Sequence, residues 1–307
     1  MPRFSVVIAC YNAEDTLPAT LASLRAQTER DWEVICVNDG STDGTLELLN
    51  REAEQDGRII VWNQQNAGPS IARNTGVALA KSDWVAFLDA DDTWVLDKLA
   101  VIGRMIAESP DIAAIYGRVA FYDPERDLTS AFSSVQPGVT TLRQLLGENP
   151  VCTLSNLCVR RDVFYEIGGF REDMRHSEDL EFLIRMVAAG KPLVGTSTLL
   201  VRYRASSDGL SANLMRMHAG WREAVLSAGA ALTTAQRARA EAIHLRYLAR
   251  RALRLNLPTT TALKLALDGF RLAPLAFLGG GRRGPLTFVS CLIAPLVPTA
   301  LRRRIFA

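Results

Sequence analysis

The sequence predicts an α/β fold, a mostly parallel central sheet with helices, followed by an α-helical C-terminal region. Three observations predict it. Short, largely apolar runs at 4–10, 32–37, 59–62 and 85–88 read as strands, the last of them unbroken and so covered on both faces. Stretches of helical apolar spacing separate them, and strands alternating with helices argue for a parallel sheet. Each run gives way to polar residues, Tyr11, Asp39, Asn66 and Asp89, at the strand ends where open α/β sheets bind ligands.

The elements follow in order. Leu17, Leu21 and Leu24 give residues 16–27 a helical period. Asn38-Asp-Gly-Ser-Thr-Asp43 is a turn cluster before a helix over 44–54. Pro69 suits the first position of the next helix, and Ile71, Ala72, Thr75, Ala78 and Leu79 form its packed face. Residues 96–107 read as a helix, 113–122 as a strand and 123–138 as a loop-rich excursion. A strand at 155–160, a short helix at 162–167 and the turn Gly168-Gly-Phe170 come next. Leu180, Leu183, Ile184, Val187 and Ala188 mark an amphipathic helix ending at Gly190, and 193–203 is a strand. A small polar loop is expected at 205–209.

Charge divides the chain at that point. Residues 1–203 carry 19 Lys/Arg and 29 Asp/Glu, whereas 204–307 carry 16 and 4. The expected organisation is therefore an acidic domain over 1–205 and a basic, mostly helical region over 206–307 that meets something anionic. No aromatic-basic RNA motif, helix-turn-helix or zinc-finger spacing points to nucleic acid. The five cysteines form no C-x-x-C pair and no disulfide framework, so a reducing, cytoplasmic setting is expected. The N-terminus reads as a first strand rather than a signal peptide. His176, His218 and His244 lack metal-ligand spacing and read as structural or exposed.

The stretch that organises the chain is Val85-Ala-Phe-Leu-Asp-Ala-Asp-Asp92. Crowded carboxylates repel one another unless a cation joins them, and hard oxygen ligands suit Mg²⁺ or Mn²⁺ shared with substrate phosphates. An isolated Asp-x-Asp is a weak signal, equally a polar turn closing a strand. Its company matters. Ser5-Val-Val-Ile-Ala-Cys-Tyr-Asn12, Trp32-Glu-Val-Ile-Cys-Val-Asn-Asp-Gly-Ser-Thr-Asp43, Asn66-Ala-Gly-Pro-Ser-Ile-Ala-Arg-Asn-Thr-Gly76, Phe87-Leu-Asp-Ala-Asp-Asp92 and Ser177-Glu-Asp179 occur in that order.

Together these stretches resemble the family 2 glycosyltransferases, over about residues 4–205. The resemblance implies the GT-A fold and inverting transfer of one sugar, hexosyl or N-acetylhexosaminyl, from a nucleotide-diphosphate sugar. A UDP-sugar is the first expectation, and the acceptor would be a hydroxyl of a glycan or lipid-linked molecule. It places Ala9, Tyr11, Asp39, Arg73, Asp89 and Arg204 around the donor nucleotide, with Tyr11 stacking on the base and Asp39 reading its edge. It makes Asp91, with Asp89, the ligand of Mg²⁺ or Mn²⁺, and Asp179, beside Glu178, the catalytic base.

Each assignment has a plainer alternative. Asp39 and Asp43 also suit an Asx turn and a helix cap. Arg73 suits a surface charge, and Glu178 and Asp179 suit a helix N-terminus. One departure stands out: many relatives carry a His after the Tyr-Arg pair, but Tyr203-Arg204 is followed by Ala205-Ser-Ser-Asp. The Gln-x-x-Arg-Trp of processive members is also missing downstream of Asp179.

Two rival functions make different demands on the sequence. A nucleotidyltransferase would need a Gly-rich basic loop after the first strand, where Cys10-Tyr-Asn-Ala-Glu-Asp15 has no glycine and two acids. A non-catalytic sugar- or nucleotide-binding module would not need both Asp91 and Asp179. The last hundred residues have no counterpart in the resemblance. Their apolar runs and clustered arginines predict a segment lying on the cytoplasmic membrane face, against the alternative of an ordinary helical subdomain. The run at 286–301 is short for a span and holds Pro295 and Pro298.

Overall fold

The computed structural model describes residues 1–123, 128–174, 176–204, 213–298 and 301–302. The chain divides into two compact units, residues 1–140 with 150–206 and residues 141–149 with 207–307.

The first unit opens with β1 (Phe4–Cys10), α1 (Leu17–Arg25), β2 (Trp32–Asp39), α2 (Thr45–Gln55), β3 (Ile59–Gln64), α3 (Pro69–Leu79) and β4 (Trp84–Phe87). Strands β3, β2, β1 and β4 lie side by side in that order, all parallel. The winding reverses between β1 and β4. Loops leaving adjacent strands at such a switch point diverge and open a crevice at their carboxyl ends. Phe4, Val6 and Ile8 of β1 and Val34 and Cys36 of β2 pack with Leu17, Leu21 and Leu24 of α1, so these apolar runs are buried.

The chain continues through β5 (Thr93–Trp94), α4 (Lys98–Glu108), β6 (Ala114–Asp123), β7 (Leu128–Phe132), β8 (Gly138–Val139), α5 (Leu142–Gly147), β9 (Cys158–Arg160), α6 (Arg161–Ile167), α7 (Glu178–Ala188) and β10 (Leu193–Arg204). Strand β9 enters antiparallel between β4 and β6, and β10 runs parallel to β6. The sheet is thus mixed, and along its described main path most neighbours are parallel.

Two local expectations are corrected. The excursion at 123–138 holds β7, paired antiparallel with β6; its Leu-Thr-Ser-Ala-Phe is too short and polar to announce a strand. Residues 155–160 are not one strand. A 3₁₀ turn at Leu154–Asn156 comes first, with the Thr153 side chain accepting from the Ser155 N–H, and only Cys158–Arg160 pairs. The small polar loop expected at 205–209 lies outside the described residues.

The second unit combines α5 with α8 (Leu214–Leu226), α9 (Thr234–Arg254), α10 (Thr259–Leu272), α11 (Pro274–Leu278) and α12 (Arg283–Ile293). Helix α9 starts at a capping box, Thr233 with Gln236, which separates it from α8. Ala242, Leu245, Leu248, Ala249 and Ala252 of α9 form its core with Leu265, Ala266 and Phe277. His244 stacks on Trp221 with ring centroids 4.7 Å apart, and burial pushes its imidazole down to about 3. Among the described residues no helix is long and apolar enough to cross a membrane.

Candidate active site

Four packed phenylalanines bring the distant motifs of the first unit together. Phe87 of β4, Phe164 of α6, Phe170 of the Gly-Gly-Phe turn and Phe182 of α7 touch in a chain of rings 5.2–6.0 Å apart. Asn74 of α3 closes the arrangement. Its side chain donates to the Phe170 carbonyl at 2.9 Å and accepts from the Phe170 N–H at 3.0 Å. Gly169 sits there at φ +66°, against Asn74, where a side chain would be both strained and crowded. Arg185 pairs with the buried Glu181 at 2.7 Å and donates to the carbonyls of Ile167 and Gly169. Helix α7 therefore starts beside the end of β4.

Arg73 of α3 joins the two acidic motifs. It bonds Asp89 at 2.9 Å and Glu178 at 2.8 Å, and its side chain is largely buried. Asp89 is gripped further: its second oxygen accepts from the Thr153 hydroxyl at 3.0 Å, and its N–H donates to Ser155 Oγ at 2.9 Å. Asp92 is fully buried and accepts from the Ser155 hydroxyl, the Thr153 hydroxyl and the Arg204 N–H. The Arg204 guanidinium donates to the Asp91 carbonyl at 3.3 Å. Beneath them Lys98 is fully buried, donating to the Ser155 carbonyl and lying 4.0 Å from the centre of the Trp94 ring.

The electrostatics follow from this crowding. Burial, then the charge of Asp89, raises the Asp91 carboxyl above its ordinary value. Burial raises Asp92 well above it, with Asp89 and Asp91 adding to the effect. Burial and the Glu178 charge push Asp179 up to about 7, against the opposing pull of the Leu180 N–H and Arg73. Burial brings Lys98 down to about 7.

The remaining predicted residues stand on neighbouring loops. Tyr11 follows β1 with its ring exposed, and Ala9 is the penultimate residue of that strand. The loop after β1 is tied to the loop after β2: Asn12 Oδ1 accepts from the Thr42 N–H at 2.8 Å, and Glu14 Oε2 from the Gly44 N–H at 2.6 Å. Asp39 ends β2 and is buried. Its carboxylate accepts from Gln64 Nε2 at 2.8 Å and from the N–H groups of Ala67 and Gly68 at 2.9 and 2.8 Å. Asp39 thus holds the entry to α3, and Asp43 accepts from the N–H groups of Thr45 and Glu14.

Whether these groups suit a divalent cation depends on what remains for it. Among the described residues no three His, Cys, Asp or Glu side chains are disposed to hold a metal. Asp89 and Asp92 are engaged as above. Asp91 carries a carboxyl that its surroundings push toward protonation, a condition a cation relieves. The set therefore fits Mg²⁺ or Mn²⁺ held by one or two carboxylates and completed by substrate phosphates and water. Thr153, Ser155 and Lys98 were not singled out in the sequence. The two hydroxyls alternate with apolar residues in Cys152-Thr-Leu-Ser-Asn-Leu157, the one signal they left.

Comparison with known proteins agrees with the fold and the motifs. The chain matches the family described as glycosyl transferase family 2 over residues 5–168, just over half its length. It belongs to that family. It is 34% identical over 186 residues to a PGL/p-HBAD biosynthesis glycosyltransferase of Mycobacterium bovis, covering 60% of this chain and 69% of that one. To an uncharacterized glycosyltransferase of Haemophilus influenzae it is 27% identical over 183 residues, covering 60% of this chain but only 61% of the relative. Among solved structures, S. aureus TarS 1-349 in complex with UDP-GlcNAc superposes with a TM-score of 0.65 at 17% identity, covering 96% of this chain and 91% of that one. The mannosyltransferase PcManGT of Pyrobaculum calidifontis, in complex with GDP-Man and Mn²⁺, gives 0.55 at 19% identity, covering 99% and 84%. The fold is GT-A, a mixed α/β sheet flanked by helices.

Proposed function

We propose that the chain moves one sugar from a nucleotide-diphosphate sugar, a UDP-sugar first, to a hydroxyl of a glycan or lipid-linked acceptor, with inversion at the anomeric carbon. The observation that carries this reading is the Arg73 bridge. One guanidinium holds Asp89 and Glu178, and next to Glu178 stands Asp179, a carboxyl that titrates near neutrality. A base is most effective when its pKa lies near the working pH.

Tyr11 offers an exposed ring to the base of the donor, and the Asp39 carboxylate retains lone-pair capacity toward an N3–H. Asp179 takes the proton of the acceptor hydroxyl as that oxygen attacks C1 opposite the leaving group. The new C1–O bond forms as the bond from C1 to the phosphate oxygen breaks, and the electron pair leaves with the nucleoside diphosphate. Arg204, placed by Asp91 and Asp92, adds positive charge on the donor side. A divalent cation at Asp91, with Asp89 beside it, would neutralise charge on the departing diphosphate. The ligands in the TarS and PcManGT complexes support a nucleotide-sugar donor, and the latter a Mn²⁺ ion.

The test is nucleoside-diphosphate release from UDP, dTDP, GDP and CDP sugars, with Mn²⁺ and with EDTA. Turnover of at least one donor that stops in EDTA is expected. Donor binding seen by thermal shift without any turnover would instead make the chain a binding module.

A further inference from the structure

Helix α12 packs the wrong way round for a protein surrounded only by water. The residues it buries are small: Gly284, Thr287 and Cys291, followed by Ala294 in the 3₁₀ turn Ala294–Leu296. Gly284 sits so close to the Leu278 backbone that a Cβ would lie 2.4 Å from it. Phe288 packs inward on Phe270 and Phe277, but the other large apolar side chains point outward. Leu286, Val289, Leu292 and Ile293 are exposed, and so are Leu275 of α11 and Leu296, at 86% and 83%. Phe288 apart, burying the small residues and exposing the large ones reverses the usual order. Large exposed apolar faces of this kind mark interaction sites.

The charge around it selects the partner. From residue 269 to 307 the chain has six arginines and no Asp or Glu. Arg271, Arg282 and Arg283 are exposed at or near the ends of α10, α11 and α12, beside the apolar residues in sequence. A second copy of this face would set arginines against arginines. An anionic bilayer supplies both an apolar interior and negative headgroups. Since no described helix can span, the geometry is that of a segment lying in the interface.

We infer that α11, α12 and the turn after them seat on an anionic lipid surface, with Leu275, Leu286, Val289, Leu292, Ile293 and Leu296 entering it. The inference does not rest on the transferase reading, because vesicle binding needs neither donor nor turnover. The full chain is floated with vesicles of phosphatidylcholine alone or mixed with phosphatidylglycerol. It should bind the mixed vesicles, release in high salt and ignore phosphatidylcholine alone. Leu286→Ser with Val289→Ser and Leu292→Ser should weaken binding by roughly tenfold or more, since each exposed apolar side chain contributes to insertion. Arg271→Glu with Arg282→Glu should weaken it in a salt-dependent way.

If the triple variant fails to fold, a label answers. Val289→Cys in a Cys152→Ser background, carrying an environment-sensitive fluorophore, should shift to the blue on mixed vesicles. Absence of flotation, an unshifted label, or binding indifferent to lipid charge would overturn the inference. So would a concentration-dependent dimer that the triple variant breaks while vesicles bind neither form.

Discussion

Each unit sets one charge among several of the opposite sign. In the first, Arg73 stands between Asp89 and Glu178, with Asp91, Asp92 and Asp179 close by. In the second, Glu148 accepts from Arg246 and Arg250 at 3.2 and 3.1 Å, with Arg283 4.0 Å away. The consequences differ. Burial and the neighbouring carboxylates outweigh the guanidinium, and three carboxyls stay raised toward protonation. Glu148 feels burial pushing its carboxyl up, yet Arg250 and Arg246 hold it below its ordinary value. In the second unit the surplus positive charge spreads onto arginines that reach solvent, such as Arg254 and Arg283. The same device is poised where its surplus charge is buried, and a staple where water screens the surplus.

The largest effect should come from removing the raised carboxyl at α7. Asp179→Asn is expected to slow transfer by roughly 10²-fold or more with donor affinity little changed. The same change should stabilise the fold above pH 7. The folded pKa of about 7 lies above the ordinary 3.8, so the native state holds a proton the unfolded chain has released. That contribution is fully present below about 4 and is lost as pH rises through about 7. The melting temperature of the variant should exceed that of the wild type at pH 8, with the gain vanishing near pH 4. Wild-type rates should rise through about pH 7 as Asp179 becomes free to accept a proton. Equal loss of rate and donor affinity would make Asp179 a binding residue.

Next comes the cation. Asp91→Asn should abolish the response to Mn²⁺, lowering the rate by about 10²-fold and removing the thermal shift that Mn²⁺ adds to UDP. Full activity of the wild type in EDTA would reject that role. Arg73→Met should then break the comparison itself, since it strands Asp89 and Glu178 without their partner. Breaking a largely buried pair costs about 3 kcal/mol. Because Arg73 holds the Asp179 carboxyl down, any residual activity should need higher pH. An unchanged pH profile would show that Arg73 does not act on Asp179.

The acidic half of this comparison was open to reading in the sequence, and its connections were not. Strands β1 and β2 announce themselves because both faces are covered and every residue can be apolar. Asp89, Asp91 and Asp92 announce themselves because they end such a run. The bond between Arg73 and Glu178 crosses 105 positions, and no local periodicity encodes it; only the order of the motifs hinted that they meet. Ser155 stands at the start of the stretch read as a strand, 155–160, and Thr153 lies just before it with no motif of its own, since a hydroxyl alternating with apolar residues looks like strand. Lys98 looked like an ordinary helix lysine, because burial of a charge is a tertiary fact. In the basic half the sign of the charge was plain. Glu148 was not, although Thr141 and Gln144, which form the capping box of α5, mark a helix start just before it. Hydropathy also could not tell which apolar residues of α12 face outward.

The smallest effect tests the staple. Glu148→Gln keeps the size of the side chain and removes the charge that Arg246 and Arg250 share. Glu148 is about a quarter exposed, so solvent screens part of the interaction, and the loss at pH 7 should be about 1–2 kcal/mol. The sign with pH is opposite to that of Asp179. A carboxyl held below its ordinary 4.5 contributes stability above that value and loses it as pH falls through the lower folded value. Melts of wild type and variant should therefore differ at pH 7 and converge on acidification, whereas Asp179→Asn should differ from wild type most at alkaline pH. A double-mutant cycle with Arg250→Gln isolates the pair from the general loss of charge. A coupling near zero, or a gap between wild type and Glu148→Gln that persists in acid, would mean that packing, not charge, holds α5 to α9.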